Sequence, residues 1–507
     1  MIMKCFYISG TVILTIANLL GKFFGAIYRI PLSNLLGASG IGLYQMTFPI
    51  YSFFLTLLTG GISVTLSRNI SKLRAKGDII SIGKQYKLAL NSSIVFGVFI
   101  TIILLLFAYP FSVLQGNSDA YLGYYGISVG FVFASILGVY RGYWQGHNTM
   151  IPTAISQIIE QLSKLFFGLL FSYILSKNSL MLGVCGALLG ISFSEILTFL
   201  YFKIKNKNII QKNIATKKGE YKEFIKDCIP VSISYGMLPL SAFFDTFVVI
   251  NVLVSVGFTK TWATSIYGIE TGMILPLINI PNVLISALAI SIVPKLSYKI
   301  ANNKNIKQDI VNIFKIVIIF LIPSMVGIYF LSGSIISVLY PNLNAQYTLF
   351  AINLLKISVF EMFFLCFVGI SNAILQSIGK TKVPAISMLI GVIIKLLLEI
   401  FLIRITQINI FGQVIASFVG YFVISSINIY QIKKITQFNM KIKTLLFPII
   451  SATIMGIVLY FIINSLKIWA NLLIICFSVF VSVILYFLLL LAFGEIKLNI
   501  FNKNVAK

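Results

Sequence analysis

The sequence predicts an all-α polytopic membrane protein of about 14 transmembrane helices: two six-helix lobes related by a pseudo-two-fold axis along the membrane normal, then two C-terminal helices. Three observations predict it. The 507 residues are 58% hydrophobic and 10% charged, with a mean hydropathy of +0.98, far outside the range of soluble domains. Apolar windows of roughly 20 residues or more, the length that crosses a hydrocarbon layer as a helix, follow one another between Gly, Pro, Asn and Lys clusters. Blocks of residues recur between the two halves.

The windows run 6–30, 42–68, 84–109, 119–144, 153–176, 180–203, 223–254, 262–294, 308–331, 346–377, 383–403, 407–431, 444–466 and 470–493. The first follows Lys4, outruns a secretory h-region and lacks a small-x-small cleavage site, so it reads as a spanning helix rather than a leader. Lysine and arginine set the orientation. With the N-terminus inside, the inner segments hold Arg68 to Lys84, Arg141, the dense run from Lys203 to Lys226, Lys295 to Lys307, Lys380 and Lys382, Lys433 to Lys443, and the C-terminal lysines. Only Lys177, Lys260, Arg404 and Lys467 fall outside. Such an asymmetry over alternating spans places both termini in the cytoplasm and the chain in the cell membrane. Trp144, Trp262 and Trp469 each fall at an expected helix end, where an indole prefers the head-group layer.

The recurrence is residue by residue. At one constant offset Gly138, Gln145, Ala154-Ile155-Ser156 and Lys164 fall on Gly369, Gln376, Ala385-Ile386-Ser387 and Lys395; at a slightly smaller one Pro49, Arg68 and Lys72 fall on Pro276, Lys295 and Lys299. Six helices per copy is an even number, so both copies enter the bilayer in the same sense. The expected organisation is a lobe at 1–205, a cytoplasmic linker at 206–222, a second lobe at 223–432, and helices 13 and 14 with a tail at 433–507.

Several classes of chemistry are excluded. Cys5, Cys185, Cys228, Cys366 and Cys476 stand singly, and His147 is the only histidine, so no metal site and no catalytic residue is expected. The net charge of +26 would suggest nucleic acid in a soluble protein. Here it is a topology signal, and no nucleic-acid partner or cofactor is expected.

The chemistry sits inside the membrane. Lys22 and Arg29 are seven residues apart, differing by about 20° around a helix, with Gly25 and Ala26 between them. Cations at bilayer depth are costly and face a wet cavity or a partner. This basic stripe reads as half of a site for an anionic head group. In the fifth window Glu160 and Lys164 are spaced i to i+4, as are Lys395 and Glu399 in the eleventh, so each pair can neutralise itself within one helix or line the cavity. Glu270 stands near Pro276 and Pro281, which can bend its helix, and reads as a cavity or gate residue. Glu160, Asp245, Glu361 and Glu399 are intramembrane carboxylates able to couple to Na+ or H+, while the net charge of the cargo can couple to the membrane potential. Arg141 and Lys380 read as inner-loop topology charges.

Gly10-Thr11 with Gly21-Lys22-Phe23-Phe24-Gly25, the run Leu36-Gly37-Ala38-Ser39-Gly40-Ile41-Gly42-Leu43-Tyr44, Phe48-Pro49, and Gly60-Gly61-Ile62-Ser63-Val64 ending in Ser67-Arg68 resemble the stage V sporulation protein B branch of the oligosaccharide flippases. That group shares a superfamily with the lipid II flippases and the multidrug and toxin exporters. The resemblance implies a V-shaped two-lobe transporter that moves a polyprenyl-pyrophosphate-linked saccharide, lipid II or a related cell-wall or spore-cortex precursor, by alternating access. It implies a cationic cavity lined from the position of Lys22. The family's second basic position on that helix falls here on Tyr28, with Arg29 one place beyond. It also implies a lipid-tail groove on helices 13 and 14. The expected substrate-binding residues are therefore Lys22, Arg29, Lys164, Glu270 and Lys395, the expected partners the lipid-linked saccharide and membrane lipids, and the expected working unit a monomer.

Two other functions fit the sequence less well. A Na+/H+-coupled multidrug exporter for cationic drugs would favour acids in its cavity, whereas the first two windows contain none. A membrane glycan polymerase or ligase would need a base or nucleophile in a substantial outer loop. The outer segments are short and, apart from Asp119, nearly free of His, Asp and Glu, so the chain is not expected to be an enzyme.

Overall fold

The computed structural model describes residues 10–206, 218–302, 304–439, 443–466 and 470–495. These residues form helices joined by short turns: α1 (Gly10–Ala75), α2 (Ile79–Leu106), α3 (Ala108–Leu114), α4 (Tyr121–Ser128), α5 (Gly130–Gly146), α6 (Ile151–Ser176), α7 (Leu180–Lys205), α8 (Lys218–Ser255), α9 (Lys260–Gly268), a π-helical turn (Ile269–Ile274), α10 (Leu275–Ala301), α11 (Lys307–Leu339), α12 (Ala345–Ser377), α13 (Lys382–Ile403), α14 (Phe411–Thr436), α15 (Lys443–Ser465) and α16 (Asn471–Ala492).

Among the described residues, 11 helices are long and apolar enough to cross a membrane, or up to 12 when the bent pair Ser118–Ser128 and Gly130–Gly146 is taken as one span. The chain is a multi-pass membrane protein. The sequence windows numbered about fourteen, and two local features bear on the difference. α1 counts once, yet its 66 residues extend ~100 Å at 1.5 Å per residue and contain a break at Gly37 (φ 67, ψ −177). Backbone of that kind is open almost only to glycine. α8 runs 38 residues through Pro230 and Pro239, and its Pro239–Ser255 portion is a shorter apolar helix outside that tally.

Caps close the exposed helix ends. The Asp78 carboxylate accepts from the Ser81 amide at 3.0 Å and its hydroxyl at 2.6 Å to start α2; Ser179 and Asn344 accept from Leu182 and Tyr347 to start α7 and α12. Trp144 sits at the end of α5, its indole donating to Asn206 at 2.9 Å, and Trp262 at the start of α9, so both fall at helix ends as expected. Trp469 lies outside the described residues.

Contacts divide the chain into two compact units, Met1–Pro276 with Lys395–Gln413, and Leu277–Ile394 with Val414–Lys507. In the first unit, small residues let backbones approach. Gly186 and Gly190, one turn apart on α7, lie against Phe171 and Gly168 of α6. Gly42 of α1 abuts the Thr264 carbonyl of α9, and Gly268 abuts the Ala38 carbonyl of α1; any side chain there would collide with backbone. Gly60 and Gly61 seat Tyr235 and Ser232 of α8, so their role is close packing. In the second unit, buried Asn428 of α14 donates to Ser371 and Asn372 of α12 and accepts from Ser387 of α13. Met455, Leu459, Tyr486 and Leu490 of α15 and α16 pack on Ile319 of α11 beside an apolar cavity of about 580 Å³.

Candidate functional site

The site begins with a backbone irregularity. In the π-turn the Leu275 amide bonds back to the Glu270 carbonyl, five residues away, rather than to Thr271. The residue that could serve Thr271 at the wider spacing is Pro276, which has no N–H. The Thr271 carbonyl is thus left without a helical donor inside the bilayer, where an unmet carbonyl costs free energy. Two side chains of α1 meet it: Gln45 donates at 2.6 Å and Arg29 at 3.3 Å. The proline expected to bend the helix of Glu270 therefore does so as a π-turn, and the turn anchors Arg29.

Arg29 shares its surroundings with Lys164 of α6. The Lys164 ammonium lies 4.8 Å from the Phe48 ring centroid and 5.5 Å from that of Tyr28, and the Arg29 guanidinium lies 5.9 Å from Phe48. Both cations address one aromatic ring, an arrangement worth ~2 kcal/mol or more per contact where water is excluded. Among the described residues neither forms an ion pair with a carboxylate. Lys22 is part of α1, but its side chain lies outside the described residues.

The acid expected to neutralise Lys164, Glu160, is occupied elsewhere, and so is Glu195. Glu160 accepts from Arg141 of α5 at 2.6 Å, and Arg141 also donates to Ser156 at 3.0 Å. Glu195 of α7, 4% exposed, accepts from the Tyr51 hydroxyl at 3.1 Å. Arg141 is therefore no loop charge: α5 continues to Gly146 and carries it into the helix packing. The sequence signal for this was its setting, Val139-Tyr140-Arg141-Gly142-Tyr143-Trp144, apolar and aromatic on both sides.

A second charged cluster in the same unit joins α8, α13 and the π-turn. Lys395, 6% exposed, donates to Asp245 at 2.5 Å and to Ser241 at 3.0 Å. The i to i+4 pairing with Glu399 gives way to this longer-range one, because α8 presents a carboxylate and a hydroxyl to the ammonium together. Glu399 is fully buried beside Asp245 and Lys395, and among the described residues no donor group meets its oxygens at hydrogen-bond distance. Glu270 and Tyr267 are buried beside these acids. Glu361 is buried on α12 in the second unit. No group of three or more His, Cys, Asp or Glu able to hold a metal ion occurs among the described residues.

Comparison with known proteins places this architecture. Residues 8–299 match the family model described as polysaccharide biosynthesis protein. The chain belongs to that family. This family member is 28% identical over 479 residues to the lipid II flippase MurJ of Bacillus subtilis (strain 168), covering 89% of the chain and 87% of the relative. It is 25% identical over 451 residues to stage V sporulation protein B of the same organism, covering 86% and 85%. Its fold matches a solved structure of lipid II flippase MurJ in an inward closed conformation with a TM-score of 0.72 at 18% identity, over 96% of this chain and 99% of that one.

Proposed function

We propose that the chain carries a polyprenyl-diphosphate-linked saccharide, lipid II or a related cell-wall precursor, across the cell membrane by alternating access. One observation carries the reading: two cations at bilayer depth, Arg29 and Lys164, bracket Phe48 without a carboxylate paired to either among the described residues. A cation in a membrane interior needs an anionic partner, and a diphosphate supplies one that both side chains can share. Charge-assisted contacts of guanidinium and ammonium with phosphate oxygens are short and strong. Arg29 is free to exchange partners, because Gln45 alone can satisfy the Thr271 carbonyl when the guanidinium turns to the phosphate. The relationship to a lipid II flippase and to a sporulation protein supports the substrate class.

The remaining parts follow from that reading. Lys22, seven residues before Arg29 in the sequence, supplies a further cation. Asp245, Glu399 and Glu270 around Lys395, and Glu160 and Glu361, supply carboxylates for coupling to Na+, H+ or the membrane potential. Both termini are cytoplasmic, fourteen spans form two repeated lobes and a C-terminal pair, the working unit is a monomer, and the chain transports without catalysis. The test is a flipping assay in liposomes with a fluorescent polyprenyl-diphosphate saccharide. Transport by the wild type and its loss in an Arg29→Gln/Lys164→Gln double variant are expected. Equal transport by the two, or efflux of cationic dyes in its place, would contradict the proposal.

A further inference from the structure

A cavity of about 360 Å³ opens in the second unit between α11, α12, α14 and the residues that follow α14. Its volume lies within the ~300–1,000 Å³ range of small-molecule sites. The wall is aromatic: Phe314, Phe363, Phe364, Phe367 and Phe438 line it, and Phe314 stacks at 5.9 Å on Phe367 and at 5.6 Å on Phe438. The mouth is polar and basic, with exposed Lys433 on the last turn of α14.

The wall is built at a conformational cost. α14 ends at Thr436, and Gln437 takes a left-handed conformation (φ 52) that turns the chain back. A non-glycine residue there costs of the order of 1–2 kcal/mol and persists only where its surroundings demand it. What this turn secures is Phe438, 7% exposed and seated against Phe314.

The charge balance selects the occupant. Among the described residues Lys433 has no carboxylate within ion-pair distance, and no acid lines the cavity. The nearby acids are taken: Asp309 by Lys299 at 2.7 Å, and Glu495 by Lys315. Lys434 is exposed beside Lys433, and Lys307 reaches Gln437 at 3.5 Å. A chamber with an aromatic interior and an unneutralised basic rim fits an amphiphile with an apolar chain and a negative head.

We propose that this chamber is a binding site for an anionic phospholipid of the surrounding bilayer, with an acyl chain against the phenylalanines and the phosphate at Lys433. The inference is separate from the identity of the transported lipid, since none of these residues belongs to the Arg29–Lys164 site.

The test uses the full-length protein in phosphatidylcholine nanodiscs with a phosphatidylglycerol probe carrying a diazirine on one acyl chain, and a matched phosphatidylcholine probe. Photolabelling of the peptides holding Phe363–Phe367 and Phe438 is expected to favour the phosphatidylglycerol probe at least about fivefold, the effect of ~1 kcal/mol from one lysine near an anionic head group. Lys433→Gln, at an exposed position, should abolish that preference. Phe314→Trp should lower labelling by both probes. Equal labelling of the wild type by the two probes would overturn the proposal. So would displacement by polyprenyl diphosphate in preference to unlabelled phosphatidylglycerol, which would make the chamber part of the transport path. Displacement by inorganic phosphate would reduce it to a free-anion site and would overturn it too.

Discussion

Lys164 and Lys395 occupy equivalent places in the internal repeat, yet their surroundings are opposite. Lys395 is neutralised: α8 delivers Asp245 and Ser241 to its ammonium. Lys164 is held over the rings of Phe48 and Tyr28, while the acid one turn away, Glu160, is drawn off by Arg141. The difference teaches that the repeat supplies two positive charges and that their partners decide their use. A charge closed by a buried carboxylate holds helices together, and a charge left on an aromatic surface is available to an anion. Arg141 keeps Lys164 available by holding Glu160.

The comparison can be broken hardest at Lys395. Asp245→Asn takes the hydrogen-bonded carboxylate from a buried ammonium, and breaking such a pair costs up to about 3–5 kcal/mol, less whatever Glu399, one turn along α13, returns by turning to Lys395. Thermal unfolding in detergent should fall sharply. Asp245→Leu combined with Lys395→Met should recover most of the loss, because the desolvation of both charges is removed together. If Asp245→Asn proves neutral, the two lysines do not differ as described.

Lys164→Met sharpens the contrast from the other side. Unfolding temperature should hold or rise, since a poorly compensated cation is replaced by an apolar chain, while transport falls by roughly tenfold to a hundredfold, equivalent to one or two charge-assisted phosphate contacts. Loss of stability in step with transport would make Lys164 structural.

Arg141→Met tests the intermediary. Glu160 is then released, and an ion pair between Glu160 and Lys164 should lower transport several-fold; adding Glu160→Gln should restore it. A double-mutant cycle measures the coupling, expected at ~1–2 kcal/mol for a pair that is only partly exposed. Coupling near zero would remove Arg141 from the account.

The smallest effect belongs to the cap of α2, a control outside the membrane. Hydrogen bonds from the Ser81 hydroxyl and amide lower the Asp78 pKa below its usual value of 3.8. Its contribution is therefore present above that value and lost only as pH falls through the lower, folded value. Protection of the first-turn amides of α2 against hydrogen exchange, relative to their intrinsic rates at each pH, should be unchanged from neutral pH down to about 4. Fraying in that interval would show the cap to be absent.

Much of this was legible in the sequence because the bilayer makes hydropathy a strong constraint. The order of spanning segments, the tryptophans at helix ends and the intramembrane charges all follow from the cost of exposing polar groups to hydrocarbon. Partner choice did not follow. The i to i+4 rule sees only one helix, whereas Lys395 finds Asp245 and Glu160 finds Arg141 across helix packing. Arg141 was further concealed by the Gly, Gln, His and Asn residues after it, which read as a loop while α5 in fact continues to Gly146. The unserved carbonyl of Thr271 needed knowledge of the hydrogen-bond register. Pro276 hinted at distortion, but only the shift of the Leu275 amide to Glu270 shows which carbonyl is released.

The most direct test of the central claim is equilibrium binding of a polyprenyl diphosphate to the purified full-length chain, measured against salt, for the wild type and the Arg29→Gln/Lys164→Gln double variant. The variant should bind at least tenfold more weakly, with a shallower salt dependence, because two charges that meet the diphosphate are gone. Equal affinity and equal salt dependence in the two proteins would contradict it.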